Sequence, residues 1–164
     1  MSFDLAKMVL QPDEGESLIV GPTAARRVII KIAPKNTGEA RLAMGVQLLE
    51  AGGVIGVHLH EGLEELIFVY GGRGKAIIQD DEVELVPGTT IYVPRRVWHG
   101  ITNTGNEPLR LTWTVCPPGL EDYFRERNTR FVHVEPDQTA PARSLDHDLL
   151  AKMAERHGMK LRRE

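Results

Sequence analysis

The chain has 164 residues, 41% of them hydrophobic, with 20 Lys and Arg against 23 Asp and Glu for a net charge of −3. That length suits one domain with its own core, and the scattered positive charge leaves no footprint for nucleic acid. The single cysteine, Cys116, excludes an intramolecular disulfide; the opening MSFDLAKMVL, with its Asp4, reads neither as a secretory leader nor as a membrane span, so the cytoplasm is the expected location.

Glycine and proline recur at short intervals from Pro12 to Pro118, and the segments between them are short and rich in Val, Ile, Leu and Thr. This is the pattern of an all-β domain with many turns. Residues 28–32 predict a strand and Asn36-Thr37-Gly38 a loop. Residues 41–50 predict a second strand, closed by Gly52-Gly53, and residues 65–70 a third, closed by 71–74. Strands over 75–79 and 83–86 flank a tight turn at Asp80-Asp81; further strands follow over 89–93, 100–103 and 109–115. In the last, Leu109, Leu111, Trp113 and Val115 share one face and Arg110, Thr112 and Thr114 the other. Residues 65–70 are apolar on both faces and need cover on each. Residues 120–127 predict a short charged helix and 136–141 a linker. Within 144–157, Leu145, Leu149, Leu150, Met153 and Ala154 fall at helical spacing, ahead of Gly158 at the C-cap position. The basic clusters at Arg26-Arg27 and residues 160–163 read as solvated surface, and Cys116 as a small filler at a strand end.

The chemistry concentrates in His58-Leu59-His60-Glu61-Gly62-Leu63-Glu64-Glu65. Residues two apart on a strand face the same side, so His58 and His60 project together, roughly 7 Å apart along the strand. Two imidazoles on one side suit a borderline metal ion. Glu65 follows a glycine-containing turn and would add an oxygen ligand, and His99 can reach the same point if the sheet closes. On its own, two histidines followed by an acid is also a pattern that chance produces. His133, His147 and His157 read as ordinary surface or core residues.

The framing of these residues carries further. Gly52, five residues, His-x-His, four residues, Glu65, six residues, Gly72 forms one block; Gly88, five residues, Pro94, four residues, His99, three residues, Asn103 forms a second. Both blocks, in order, resemble the two motifs of the cupin superfamily, and the likeness runs over residues 41–118. It implies an all-β cupin jelly-roll barrel over 41–118, with an N-terminal arm of strands over 1–40 and a C-terminal extension with one amphipathic helix over 119–164. It also implies one divalent transition metal held by His58, His60, Glu65 and His99, with Fe, Mn, Ni, Co, Cu and Zn all compatible. The gap to Gly72 favours Glu65 over its neighbour Glu64, which then faces solvent. Where cupins commonly have glycine, two residues after the proline, this chain has Arg96. A slightly different turn is the structural reading; a grip on a carboxylate or enolate is the functional one. Candidate substrate contacts are thus Arg96, Trp113 and Gln47, each set against an ordinary role in turn, core or strand face.

Thr37-Gly38, the tract from Pro117 to Phe124 and Ala154-Glu155-Arg156-His157-Gly158 resemble small single-cupin proteins related to quercetin dioxygenases. That resemblance implies a non-haem dioxygenase for a small aromatic or enolisable substrate, with Glu65 as catalytic proton acceptor. A redox-neutral isomerase, lyase or hydrolase and a non-catalytic binding protein are the alternatives, because a fold does not dictate a reaction. The expected partners are a small molecule and a second copy of the chain, with neither nucleic acid nor membrane. The dimer follows from the cover that residues 65–70 and the two terminal segments need.

Overall fold

The computed structural model describes residues 5–20, 26–38, 40–131 and 147–162. A four-residue helix, α1 (Leu5–Met8), precedes β1 (Glu16–Ile19) and β2 (Arg26–Ile32). After α2 (Pro34–Thr37) come β3 (Ala43–Leu49), β4 (Val54–His60), β5 (Glu64–Gly71), β6 (Gly74–Ile78), β7 (Asp81–Leu85), β8 (Thr90–Val93), β9 (His99–Thr102) and β10 (Leu109–Cys116). The chain ends with α3 (Leu120–Phe131), α4 (His147–Arg156) and β11 (Met159–Leu161). The expected linker over 136–141, His133, and Leu145 of the terminal helix lie outside the described residues.

The strands form two antiparallel sheets, six strands in the order β1-β2-β3-β10-β5-β8 and five in the order β11-β4-β9-β6-β7. This is the jelly-roll arrangement, in which each strand turns alternate residues toward a shared interior. Along β10, Leu109, Leu111, Trp113 and Val115 are all at most 1% exposed, while Arg110 and Cys116 face out. Two apolar clusters result. One gathers Leu49, Ile67, Val69, Leu85, Ile101 and Leu109; the other gathers Val28, Ile30, Trp113, Tyr123, Phe124 and Met153. Buried polar side chains, among them Gln47, His58, His60, Glu65 and His99, also point inward from these strands.

Gly45, on β3, makes this interior possible. A Cβ there would stand 2.5 Å from both the Ile29 carbonyl oxygen and Cζ2 of Trp113, so only a glycine lets the indole lie against the strand. Buried Asn103 closes the loop after β9: its amide donates to the Leu49 and Glu107 carbonyls, at 2.9 and 2.8 Å, and its oxygen accepts from Gly105 N–H.

Several expectations shift. Asn36 and Thr37 belong to the last turn of α2 rather than to a loop. Asn36 Oδ1 accepts from Ala33 N–H at 2.7 Å, and Gly38 ends the turn at φ +85°. The tight turn between β6 and β7 is Gln79-Asp80, one residue earlier than Asp80-Asp81, with Gln79 at φ +59°. The charged helix after the barrel runs on to Phe131. Cys116 ends β10 exposed, so it is not a core filler. The basic side chains of Lys160 and Arg162 are exposed as expected, but the backbone there is not loop: residues 159–161 form β11 on the edge of β4, with Met159 opposite His60 and Leu161 opposite His58.

Candidate metal centre

Three strands assemble the site. His58 and His60 lie on β4, whose last three residues are buried. His99 opens β9, directly opposite His58 in the ladder between those strands. Glu65 enters from the other sheet as the second residue of β5, paired with Val115 and Val93. One potential ligand atom from each of the four residues lies within 4.8 Å of the other three, and all four residues are buried. The three imidazole centroids are 4.1 to 5.3 Å apart.

Hydrogen bonding sets the tautomers. His58 Nδ1 lies 2.9 Å from the Gly56 carbonyl oxygen and His99 Nδ1 lies 3.0 Å from that of Val97. A carbonyl only accepts, so both Nδ1 atoms carry the proton and both Nε2 atoms present a lone pair to the centre. Glu65 Oε2 stands 3.0 Å from His99 Nε2 and 3.2 Å from His60 Nε2. With neutral imidazoles, His99 Nε2 and this oxygen are two acceptors in contact. A cation or a shared proton between them removes the repulsion. The donor set therefore fits a divalent transition metal, three borderline nitrogens and one hard oxygen. His60 Nδ1 is buried with no partner among the described residues.

The electrostatics agree. Burial, then the positive character of His99 and His60, pushes His58 well below its ordinary pKa, so its lone pair stays available. Burial alone would raise Glu65, but the contacts of its carboxylate with His60 and His99 hold its carboxyl well below the usual range. The site thus offers an ionised carboxylate beside an unprotonated His58.

Glu64 behaves as its parity on the strand requires. Its side chain is 45% exposed and faces outward, where it accepts from Tyr92 Oη at 3.2 Å and lies 3.8 Å from Arg95 Nε. Of the remaining histidines, His157 meets Glu126 at 2.7 Å and His147 is exposed. Arg96 is exposed, with φ +64°, and its N–H donates to the His60 carbonyl at 2.7 Å. The turn keeps the left-handed conformation that a glycine there would adopt, with an arginine in it, rather than becoming a different turn. The charge of Arg96 is felt at Glu61, on the surface.

Gln47 and Trp113 are inside the barrel, 3% and 1% exposed. With the Gln47 amide turned so that its oxygen faces Arg26, that oxygen accepts from Arg26 Nε at 2.5 Å and from a terminal nitrogen at 3.0 Å. Arg26 is the interior residue that the sequence reading placed on the surface. It shares the inward parity of Val28 and Ile30 on β2, a signal that was present in the chain. The Arg26-Arg27 pair straddles the sheet, one residue to each side.

Residues 45–115 match the family model described as Cupin domain. An uncharacterized protein of Methanocaldococcus jannaschii is 31% identical over 55% of this chain and 66% of its own length. Among solved structures, a predicted oxalate decarboxylase of Thermotoga maritima superposes with a TM-score of 0.61 at 19% identity, over 68% of this chain and 100% of that one. The polyketide cyclase RemF of Streptomyces resistomycificus gives 0.59 at 20%, over 67% and 79%. At such identities the likeness extends to the fold and not to the reaction. Matching domain, jelly-roll sheets and an inward-facing group of three histidines and a glutamate agree: residues 45–115 are a cupin domain.

Proposed function

We propose that this protein is a metal-dependent oxidoreductase, a non-haem dioxygenase acting on a small aromatic or enolisable substrate inside the barrel. The observation that carries the reading is the ionised, buried Glu65 set between two imidazoles at 3.0 and 3.2 Å. A divalent metal held by His58, His60, Glu65 and His99 would supply a Lewis-acidic centre with open positions for substrate and oxygen. The chain's own part is to keep three lone pairs aimed at one point, through the carbonyl contacts of His58 and His99, and to exclude water. Glu65 would take the proton from a substrate hydroxyl as it becomes an enolate. The test is oxygen uptake by protein loaded with Fe(II), Mn(II) or Ni(II), on a panel of flavonols and 1,3-diketones. Uptake in step with substrate loss supports the reading, and turnover under strict anaerobiosis overturns it in favour of a redox-neutral lyase or isomerase.

The same proposal includes a homodimer. Leu66, Phe68, Tyr70 and Tyr92 stand side by side on the outer face of β5 and β8, 41 to 60% exposed. An apolar patch of that kind on a sheet face marks an interaction surface. The cytoplasm is the proposed location, which suits a lone exposed thiol. No helix among the described residues is long and apolar enough to cross a membrane.

A further inference from the structure

The interior of the barrel contains a cation whose partners do not balance it. Arg26 opens β2 and is half-buried, with its guanidinium against the buried side chains of Gln47 and Phe124. Its only hydrogen-bond partner among the described residues is the neutral Gln47, and its flat face lies 5.9 Å from the ring of Phe124. No carboxylate of the described residues is within ion-pair distance of it. Burial, and after it the charge of Arg127, pushes its pKa down to about 9; among the described residues Glu65 is the one carboxylate whose charge is felt there. Glu65 is already engaged by His60 and His99. With a divalent ion on the four ligands, that carboxylate is further committed and the interior becomes more positive.

A second buried polar group lies next to the same aromatic ring. Trp113 packs on Phe124 with ring centroids 5.4 Å apart, so indole and guanidinium share one aromatic neighbour. The indole N–H of Trp113 is buried, 1% exposed as a residue, and has no hydrogen-bond partner among the described residues. Native interiors rarely leave a donor and a cation unanswered together. A fork of guanidinium donors and an indole N–H are donor-only groups, and the ligand that answers both is an anion.

We propose that Arg26, oriented by Gln47 and with the indole N–H of Trp113 as a further donor, binds an acidic group of the substrate, a carboxylate or a phosphate, inside the barrel. The inference rests on the reading of this interior as a substrate site and narrows the substrate to an organic anion. Gln47 is then a positioning residue. Its amide holds two of the guanidinium nitrogens and leaves the remaining donors of the fork for the ligand.

The experiment is calorimetric titration of zinc-loaded protein, redox-inert, with malonate, with inorganic phosphate and with neutral malonamide. Malonate or phosphate should bind and malonamide should not; whichever anion binds more tightly identifies the acidic group. Arg26→Met should weaken that binding at least tenfold while zinc content is unchanged and Tm is equal or higher, because an unbalanced buried charge has been removed. Arg26→Lys keeps the charge without the fork and should bind with intermediate affinity. Equal anion affinity in wild type and Arg26→Met would mean that the anion sits on the zinc alone, and would overturn the proposal. So would failure of both anions to bind wild type, or a fall in Tm for both variants, which would make Arg26 a structural residue. Anion binding that depends on Arg26, without any oxygen uptake, would remove the dioxygenase reading and leave this one standing.

Discussion

Glu64 and Glu65 carry the same carboxyl group one residue apart, yet on β5 the first meets Tyr92 and Arg95 at the surface and the second is 6% exposed among three imidazoles. The period of two in a strand decides between them. Glu65→Ala should lower metal affinity by about a hundredfold or more and Glu64→Ala by little, read by metal content after dialysis. His58→Ala, His60→Ala and His99→Ala should each lose metal in the same assay. Arg96 holds a left-handed backbone at φ +64°, where a side chain is disfavoured by about 1 kcal/mol. Arg96→Gly should therefore raise unfolding stability by up to about that amount in urea titration and leave metal content unchanged. His58 sets a pH dependence. Its folded pKa is below the ordinary 6.5, so between 6.5 and that lower value the unfolded chain binds a proton that the folded metal-free protein does not. The stability from this group is complete above pH 6.5 and lost as pH falls below it, with a slope of up to about 1.4 kcal/mol per pH unit. Urea titrations of metal-free protein from pH 7.5 to 5 should show the decline, and His58→Gln should flatten it.

Among the elements, β11 bears most directly on the site. It covers the edge of β4, and a single strand edge left open next to two ligands would be free to shift register. Gly158 O accepts from Glu61 N–H at 2.8 Å and Arg162 N–H donates to Val57 O at 2.9 Å, so Lys160, midway between them and opposite Leu59, is the third bonded position of this ladder. Lys160→Pro removes that donor. It should lower metal affinity about tenfold without touching a ligand, read by competition with a chromogenic chelator. The helices hold β11 in place. Met153 and Ala154 of α4 are 0% exposed, and Glu126 of α3 takes both His157 and Arg156 from the end of α4. Leu149, Leu150, Met153 and Ala154 announced α4 by their helical spacing. Met159-Lys160-Leu161 announced nothing, because three residues with one charged member form a strand only when an edge is waiting for them.

At the scale of the whole molecule, the outward residues of β5 and β8 remain to be answered. Leu66, Phe68 and Tyr70 alternate with the buried Glu65, Ile67 and Val69, so one strand has an apolar row on each side. The inner row packs in the barrel and the outer row calls for a second surface. Native mass spectrometry should give twice the chain mass of 18.3 kDa. Phe68→Asp should convert the dimer to monomer with metal content retained, since its side chain points away from the ligands. A monomer in the wild type would mean that this face is covered by another partner or by none.

The chain by itself determined an all-β class and most of its strands, through local alternation and the spacing of glycines and prolines. The jelly-roll barrel, the four residues that meet at the centre and the choice of Glu65 over Glu64 were legible through the resemblance of its two spaced motifs to those of the cupins. The tertiary structure alone decided that Arg26 meets Gln47, that the last basic cluster pairs with the strand of His58 and His60, and that Arg96 keeps a glycine's backbone at the surface. Each of these depends on which element stands opposite, a contact between residues far apart in sequence that no local pattern records. The four ligands were legible because their spacing resembles two cupin motifs; Arg26 was read as surface because a charged pair at a strand start commonly is, although its parity with Val28 and Ile30 pointed inward.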